Sequence, residues 1–276
     1  MAYPTPASPY DDQDIEEIDL RDPPLVRVIA QVRHPPLTAL IADTGKETAL
    51  RVAEGLSASY PIFEETRDAQ YIVTSDGIEE RQTASSTWHL RSADEQWQVS
   101  FGREFVALDA SSYAGRNDFH VRLEEALRVY AETVSPPSAT RLGIRYTNRI
   151  EDQALLADMP RFIRQELLGP LSSDLPREIT LAHVFSQAQF NEPAGGLVLN
   201  WGLLPPNGLF DPTLKPLTTT SWVLDIDAFS STRLPFDPTS LVDASKSLAD
   251  RAYRSFRWAV KEDFLQAFRS SDERSD

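Results

Sequence analysis

The sequence predicts an α+β fold made of two similar halves, each an antiparallel sheet with its helices on one face. Two observations lead to this prediction. Runs of alternating apolar and polar residues, typical of half-buried strands, are bracketed by segments with apolar residues at helical spacing. The same order of elements also occurs twice along the chain, although the residues of the two passes are barely alike.

The first half, residues 25–137, predicts the order β-α-β-β-β-β-α. Alternation over residues 25–33 indicates a strand, and apolar residues at helical spacing over 37–60 indicate mainly helix. Four strands are expected next, at residues 70–74, 86–92, 97–101 and 104–110. Asn117 or Asp118 then caps a second helix.

The second half, residues 138–269, predicts the order β-α-β-β-β-α. It opens with a strand at 140–150, followed by a short helix from Asp158 to Gly169. Three strands and a long helix opened by Asp237 complete it, with the strands at 179–190, 196–204 and 221–229. This order within each half defines the fold of the TATA-binding protein, which we use as an analogy of architecture only.

The composition predicts a polar tail at each end of the chain, at residues 1–24 and 270–276. The N-terminal tail contains seven acidic residues and one basic residue. A segment of this composition buries too little apolar surface to offset its ordering entropy, so we expect it to be mostly disordered. The alternative is an acidic peptide that docks on a basic partner.

Composition excludes several classes of protein. The 276 residues include 42 acidic and 27 basic side chains, and a net charge of −15 argues against a protein whose main task is to grip nucleic-acid phosphates. The lack of cysteine excludes disulfides, thiolate zinc sites, iron–sulfur clusters and cysteine nucleophiles. Neither a bilayer-spanning apolar run nor a signal peptide is found, so we expect a cytoplasmic protein without a membrane partner.

The sequence offers little for catalysis. Its four histidines are far apart, and it lacks the G-x-S-x-G elbow and the glycine-rich phosphate loops. We therefore predict no cofactor, no metal and no catalytic residue, and leave enzymatic activity uncertain, with the balance against it. Asp225 and Asp227 share one side of a strand and could bind a hard cation or serve an enzyme. The alternative is the solvated face of a half-buried strand.

Arginines form the clearest candidate binding site. Arg141, Arg145 and Arg149 fall on one face of the strand at 140–150. Arg27 and Arg33 similarly share a face of the opening strand, and the two basic faces could merge into one strip. Guanidinium groups in such a row can hold carboxylates or phosphates in bidentate fashion. The alternative is that they pair with the many carboxylates of this chain.

A second candidate is the apolar, proline-rich segment at residues 202–216, GLLPPNGLFDPTLKP, which includes Leu204 and Phe210. A loop this apolar is either tucked over the edge of a core or displayed to a partner. Both readings stay open. Tryptophans at strand positions likewise fill a core or, where they face the open side of a sheet, form part of a recognition surface.

Several segments together resemble a sporadically distributed family of uncharacterised bacterial proteins. They include PPLVRVIAQVR at residues 23–33 and RLGIRYTNRI at 141–150, and the likeness extends over residues 23–268. The family usually has an acidic residue where this chain has Arg27. The resemblance implies a patchily inherited accessory gene of the defence or toxin–antitoxin kind, and it implies no activity, cofactor or catalytic residue.

These observations favour a non-catalytic interaction protein that binds a macromolecule, with a protein encoded nearby as the expected partner and homo-oligomerisation left open. The alternative is a sensor that grips a small anion or nucleotide through the arginine-lined face. An enzyme ranks third. A nucleic-acid partner is disfavoured by charge unless the arginine strip is segregated from the acidic surface.

Overall fold

A computed structural model describes residues 5–11, 15–18, 20, 22–74, 77–211 and 213–268. The side chains of residues 42–44 and 67–85 are outside this description, as is the predicted polar tail at 270–276. None of the described helices combines the length and the apolar character needed to cross a bilayer.

The fold is α+β, as predicted, with nine strands in a large antiparallel sheet and helices packed on it. The strands are β1 (Leu25–Arg33), β2 (Ile62–Thr74), β3 (Gly77–Arg91), β4 (Trp97–Gly102), β5 (Phe105–Ala110), β6 (Ser138–Ala139), β7 (Arg141–Ile150), β8 (Val184–Glu192), β9 (Gly195–Leu204), β10 (Ser221–Ser230) and β11 (Leu234–Pro235). The helices are α1 (Ala42–Leu56), α2 (Arg116–Val134), α3 (Gln153–Ala157), α4 (Met159–Phe162), α5 (Pro238–Ala259) and α6 (Glu262–Phe268). The two-residue strands β6 and β11 pair with each other.

The order of strands across the sheet is β2-β3-β4-β5-β1-β7-β10-β9-β8. β1 and β7 are the first strands of the two predicted halves, and they are neighbours in this order. The other strands of the first half lie on the β1 side, and those of the second half lie on the β7 side. Two halves that repeat the same elements would give an order of this kind. Duplication, and with it the analogy with the TATA-binding protein, stays a prediction.

One predicted helix is wrong. The segment predicted to be helical from Asp158 to Gly169 instead contains α4 and a 3-10 turn at Gln165–Leu167, and a second 3-10 turn begins at Gly169. A separate helix, α3, precedes it and is capped by Asp152, whose Oδ1 accepts a hydrogen bond from the backbone N–H of Ala154 at 2.7 Å. Pro160 lies in the first turn of α4, where proline is tolerated, and the helix ends because the backbone of Ile163 is extended (φ −114°, ψ 146°).

The chain forms two compact units. Unit 1 contains residues 1–26, 145–228 and 249–276, and unit 2 contains residues 27–144 and 229–248. The chain passes from one unit to the other inside β1, β7, β10 and α5 rather than in a linker. A sequence search for linkers does not find such boundaries, and the predicted one between 137 and 138 falls inside unit 2.

The core of unit 2 lies between the sheet and helices α1 and α2. The helices approach closely because Gly55 of α1 has no side chain, and a Cβ there would lie 2.6 Å from Cγ1 of Val129 in α2. The ring of Trp97 in β4 lies 6.0 Å from that of Phe119, also in α2. Trp97 is buried, so it fills the core and does not form part of a recognition surface.

The described part of the N-terminal segment docks on unit 1. Ser255 of α5 donates a hydrogen bond to the carbonyl of Pro9 at 3.1 Å, and the ring of Tyr10 packs against Phe190 of β8 at 5.6 Å. Burial of the Tyr10 ring contributes apolar area to this contact. The disordered tail predicted for residues 1–24 stays a prediction.

A buried histidine–tyrosine pair lies in the core of unit 2. His34 Nδ1 is 2.9 Å from the carbonyl oxygen of Pro35, and Nε2 is 2.8 Å from the Tyr130 hydroxyl. Since a carbonyl only accepts, Nδ1 carries the proton of the neutral ring and Nε2 accepts from Tyr130. Burial lowers the pKa of His34, while the Pro35 carbonyl and the charge of Glu104 oppose the shift.

We predict that this pair makes the fold weaken below neutral pH. The unfolded chain protonates His34 near its ordinary pKa of 6.5, whereas the folded unit resists protonation until a lower pH. The stabilisation is therefore complete above about pH 6.5 and is lost as the pH falls toward the lowered pKa.

Urea denaturation at neutral and mildly acidic pH gives the free energy of unfolding at each pH. This free energy should fall less on acidification for His34→Gln than for the wild-type chain. His183→Gln, at an exposed histidine, is the control and should behave as wild type. Equal losses in His34→Gln and wild type would contradict the prediction.

Candidate functional site

Unit 2 has one polar, part-exposed sheet face. In β4, Trp97, Val99 and Phe101 are buried, whereas Gln98 and Ser100 between them stay part-exposed. The alternation follows from the pleat, because successive side chains of a strand point to opposite faces. β1 shows the same alternation. Helices thus cover one face of the sheet, and the other presents mostly polar side chains, with Ile29, Ile62 and Phe105 as apolar residues among them.

We call this polar surface the open face of unit 2. Its polar residues are Arg27, Gln31, Arg33, Glu64, Thr66, His89, Arg91, Gln98, Ser100, Asp109 and Arg141. Among the side chains that the structure describes on this face, four arginines and two acids give a net charge of +2 (4 − 2), although the whole chain carries −15. Positive charge therefore exceeds negative charge among these described side chains.

Ion pairs neutralise part of this charge. Arg27 binds the carboxylate of Asp109, with Nε 2.9 Å from Oδ1, and Arg91 pairs with Glu64. Arg33, at the end of β1, is exposed, and its side chain forms no ion pair with the part of the chain that the structure describes. The open face thus has two paired arginines and one that is directed to solvent.

A histidine belongs to the same face. His89 Nδ1 is 2.8 Å from Ser100 Oγ, and its Nε2 is 3.0 Å from Thr66 Oγ1. Gln98 Nε2 donates to Ser100 Oγ at 2.8 Å. Hydroxyl, amide and imidazole groups on an exposed surface can exchange bonds among themselves for bonds to polar groups of a partner. The chemistry suited to this cluster is recognition by hydrogen bonding.

The arginines of unit 1 have a different environment, set by a buried carboxylate. Asp225 of β10 is fully buried, and its Oδ1 accepts hydrogen bonds from Arg145 Nε at 2.7 Å and Thr147 Oγ1 at 2.8 Å. Asn200 Nδ2 of β9 donates to Oδ2 at 3.0 Å. Burial opposes the charge of Arg145, but the hydrogen bond and charge of Asp225 outweigh it and raise the pKa of Arg145. The solvated strand face considered for Asp225 is therefore wrong.

The proline-rich segment at 202–216 folds back over this network. Arg145 Nη1 is 2.9 Å from Oδ2 of Asp211, and the ring of Phe210 lies 5.9 Å from the Arg145 guanidinium. Phe210 also packs on Phe185 of β8 at 6.0 Å. Of the two readings left open, the structure selects the tucked loop for this part of the segment.

Arg149 lies deeper in unit 1. Its Nε donates to Ser221 Oγ at 3.1 Å, and its Nη1 donates to the carbonyl of Lys215 at 2.9 Å. Burial lowers the pKa of Arg149, and the charge of Glu151 opposes the shift. Its hydrogen bonds within the described residues thus go to neutral oxygens rather than to a carboxylate.

The remaining predicted site residues divide between the units. Arg141 lies in unit 2, with its guanidinium 4.7 Å from the centre of the Phe229 ring. Leu204 of β9 is buried and contributes to the core of unit 1 rather than to a surface. For Arg27 and Arg145 the structure favours the alternative we had left open, pairing with carboxylates of the same chain.

Sequence reasoning did not identify the acids that hold these arginines. Asp109 lies 82 positions from Arg27, and Asp225 lies 80 positions from Arg145. Only the pairing of distant strands brings such residues together, and no local pattern encodes it. The signal that could have found Asp225 was the apolar stretch WVL before it and the Ile after it in SWVLDIDAF, since a carboxylate buried in such a strand needs a partner.

Comparisons with known proteins do not identify the chain. No protein-family model matches the sequence, and no curated protein matches it. Within the described ranges, no three His, Asp or Glu side chains stand together as a metal site.

We predict that Arg145→Ala destabilises the protein, because it leaves the buried carboxylate of Asp225 without its counter-charge. Losing one partner of a buried pair costs about 3–5 kcal/mol. We expect the lower end, since 29% of the Arg145 side chain is exposed. The free energy of unfolding from urea denaturation is the measurement. Arg128→Ala is the control, because the exposed Arg128–Glu132 pair should contribute only about 0.3–0.5 kcal/mol. Equal losses in the two variants would show that Asp225 does not depend on Arg145.

Proposed function

We propose that this chain is a non-catalytic protein-interaction module that binds its partner through the open face of unit 2. The observation that supports this is the combination of a polar, hydrogen-bonding sheet face with local positive charge in an acidic protein. We further propose that it acts in the cytoplasm within a bacterial accessory system of the defence or toxin–antitoxin kind, with a partner encoded nearby.

The mixed character of the open face favours a protein partner over nucleic acid. Affinity for phosphate backbones comes from clustered cations, whose binding releases counterions. Two arginines of the open face, Arg27 and Arg91, already have carboxylates beside them. Histidine, hydroxyl and amide groups between such pairs suit the polar contacts of a protein interface.

Arg33 is the residue best placed to contact a partner. It is exposed at the end of β1, and arginine is enriched at protein interfaces because its planar guanidinium binds carboxylates in bidentate fashion. A partner with an acidic group at this position would match the positive charge of the open face.

We predict that Arg33→Glu weakens binding to the native partner while the protein stays folded. The partner is the protein that copurifies with the wild-type chain from native cells, and its affinity is then measured by calorimetry. We expect Kd to rise at least about tenfold, because a like charge replaces an attractive one at the interface. Arg128→Glu, on the exposed side of α2, reverses the same charge outside the open face and should bind as wild type. Unchanged affinity in Arg33→Glu would reject the open face as the binding surface.

Arg149 favours a second candidate function, a sensor for a small anion or nucleotide. The described hydrogen bonds of this buried guanidinium go to neutral oxygens, so its positive charge can still attract an anion. The tucked loop bounds this position through the carbonyl of Lys215.

Thermal denaturation with inorganic phosphate and with ATP tests the sensor. A ligand that binds only the folded state at 100 times its Kd stabilises by about 2.7 kcal/mol, so the melting temperature should rise with ligand concentration. Arg149→Gln should abolish the rise, whereas Arg161→Gln, at an exposed arginine, should retain it. No rise with either ligand would reject the sensor and leave the interaction module unaffected.

A further inference from the structure

Within the described part of the chain, the outer edge of β8 has no strand paired to it. β8 is the last strand of the sheet, and on its inner side all nine residues from Val184 to Glu192 are in register with β9. Among the described residues, no backbone hydrogen bond outside this ladder involves β8. Its outward N–H and C=O groups are therefore available to another strand.

The two edges of the sheet differ in how they are protected against such pairing. The strand at the opposite edge, β2, contains the charged run EETRD, and its register with β3 shifts between Arg67 and Ala69. Charges and bulges are the usual means of preventing edge-to-edge association. β8 reads VFSQAQFNE, lacks proline, and pairs with β9 without a shift. Its one charge, Glu192, forms an ion pair with Arg251 of α5 at 2.7 Å.

The exposed side chains of β8 are uncharged. Alternate residues face solvent: Phe185, Gln187, Gln189 and Asn191. Phe185 remains 46% exposed, and the neighbouring loop adds Leu209, which is 50% exposed. In a chain with a net charge of −15, acidic surfaces of two copies repel each other, and the neutral strand β8 lets a second copy approach without this repulsion.

We propose that β8 pairs with β8 of a second copy of this chain, in antiparallel orientation about a twofold axis through Ala188. All nine residues pair only in this register, which places Gln187 opposite Gln189 of the second copy and Phe185 opposite Asn191. The opposed glutamine amides can both donate and accept hydrogen bonds. Glu192 faces Val184, so no like charges oppose each other. The strand is its own complement, as a twofold interface requires.

The proposal does not depend on the open face of unit 2, and full-length protein tests it directly. Sedimentation velocity over a concentration series should show a monomer–dimer equilibrium for the wild-type chain. Gln187→Lys with Gln189→Lys places lysines opposite one another and should raise the dimer Kd at least about tenfold. The same positions changed to Glu should have the same effect, and an equimolar mixture of the Lys and Glu variants should restore the dimer. Gln153→Lys with Gln165→Lys, at exposed positions outside β8, is the matched control and should dimerise as wild type.

A cross-link tests the register. The chain has no cysteine, so Ala188→Cys introduces a single thiol, which the twofold axis places opposite its copy. Antiparallel neighbours have Cα atoms about 4.5–5.5 Å apart, within the range of a disulfide. Mild oxidation should therefore yield a covalent dimer from Ala188→Cys and none from Gln165→Cys. A wild-type chain that stays monomeric, or a dimer unaffected by the lysines at 187 and 189, would overturn the proposal.

Discussion

The charge of Asp225 organises unit 1. A carboxylate removed from water is costly unless donors and a counter-charge surround it. Here β7 supplies Arg145 and Thr147, and β9 supplies Asn200. Because Arg145 also reaches Asp211, the same charge holds the proline-rich segment over the sheet. One buried carboxylate thus connects three strands and a loop, and it determines that the arginine is not free for an outside ligand.

The open face of unit 2 follows a different rule. The Arg91–Glu64 pair is part-exposed on both sides, and ion pairs in such positions contribute little to stability. Arg91, Glu64 and the exposed Arg33 can therefore exchange partners at small cost, whereas the Arg27–Asp109 pair is more buried. A tightly coupled network suits a structural role, and a weakly coupled polar surface suits recognition. This difference is why we propose unit 2 for binding, although the arginine row extends into unit 1.

The net charge of −15 constrains how this protein can associate with its own kind. Most surfaces of such a chain repel a second copy, and neutral segments become the places where contact is possible. Apolar residues embedded in acidic sequence have a related effect at the N-terminus, where Pro9 and Tyr10 dock on unit 1. In both cases the position of a few uncharged residues determines where a contact forms, and the average composition does not.

The sequence by itself determined the fold class and most of the elements. Alternation and helical spacing are local properties, so they located β1, β4, β5, β7, β9, β10, α2 and α5 and the face of β7 that contains the arginines. The tertiary structure decided what those arginines do. Whether a guanidinium meets a carboxylate of its own chain depends on which strands become neighbours, and Arg145 and Asp225 meet across 80 residues. Unit boundaries inside strands and the docked N-terminal segment have the same origin, since contacts between residues far apart in sequence leave no local pattern.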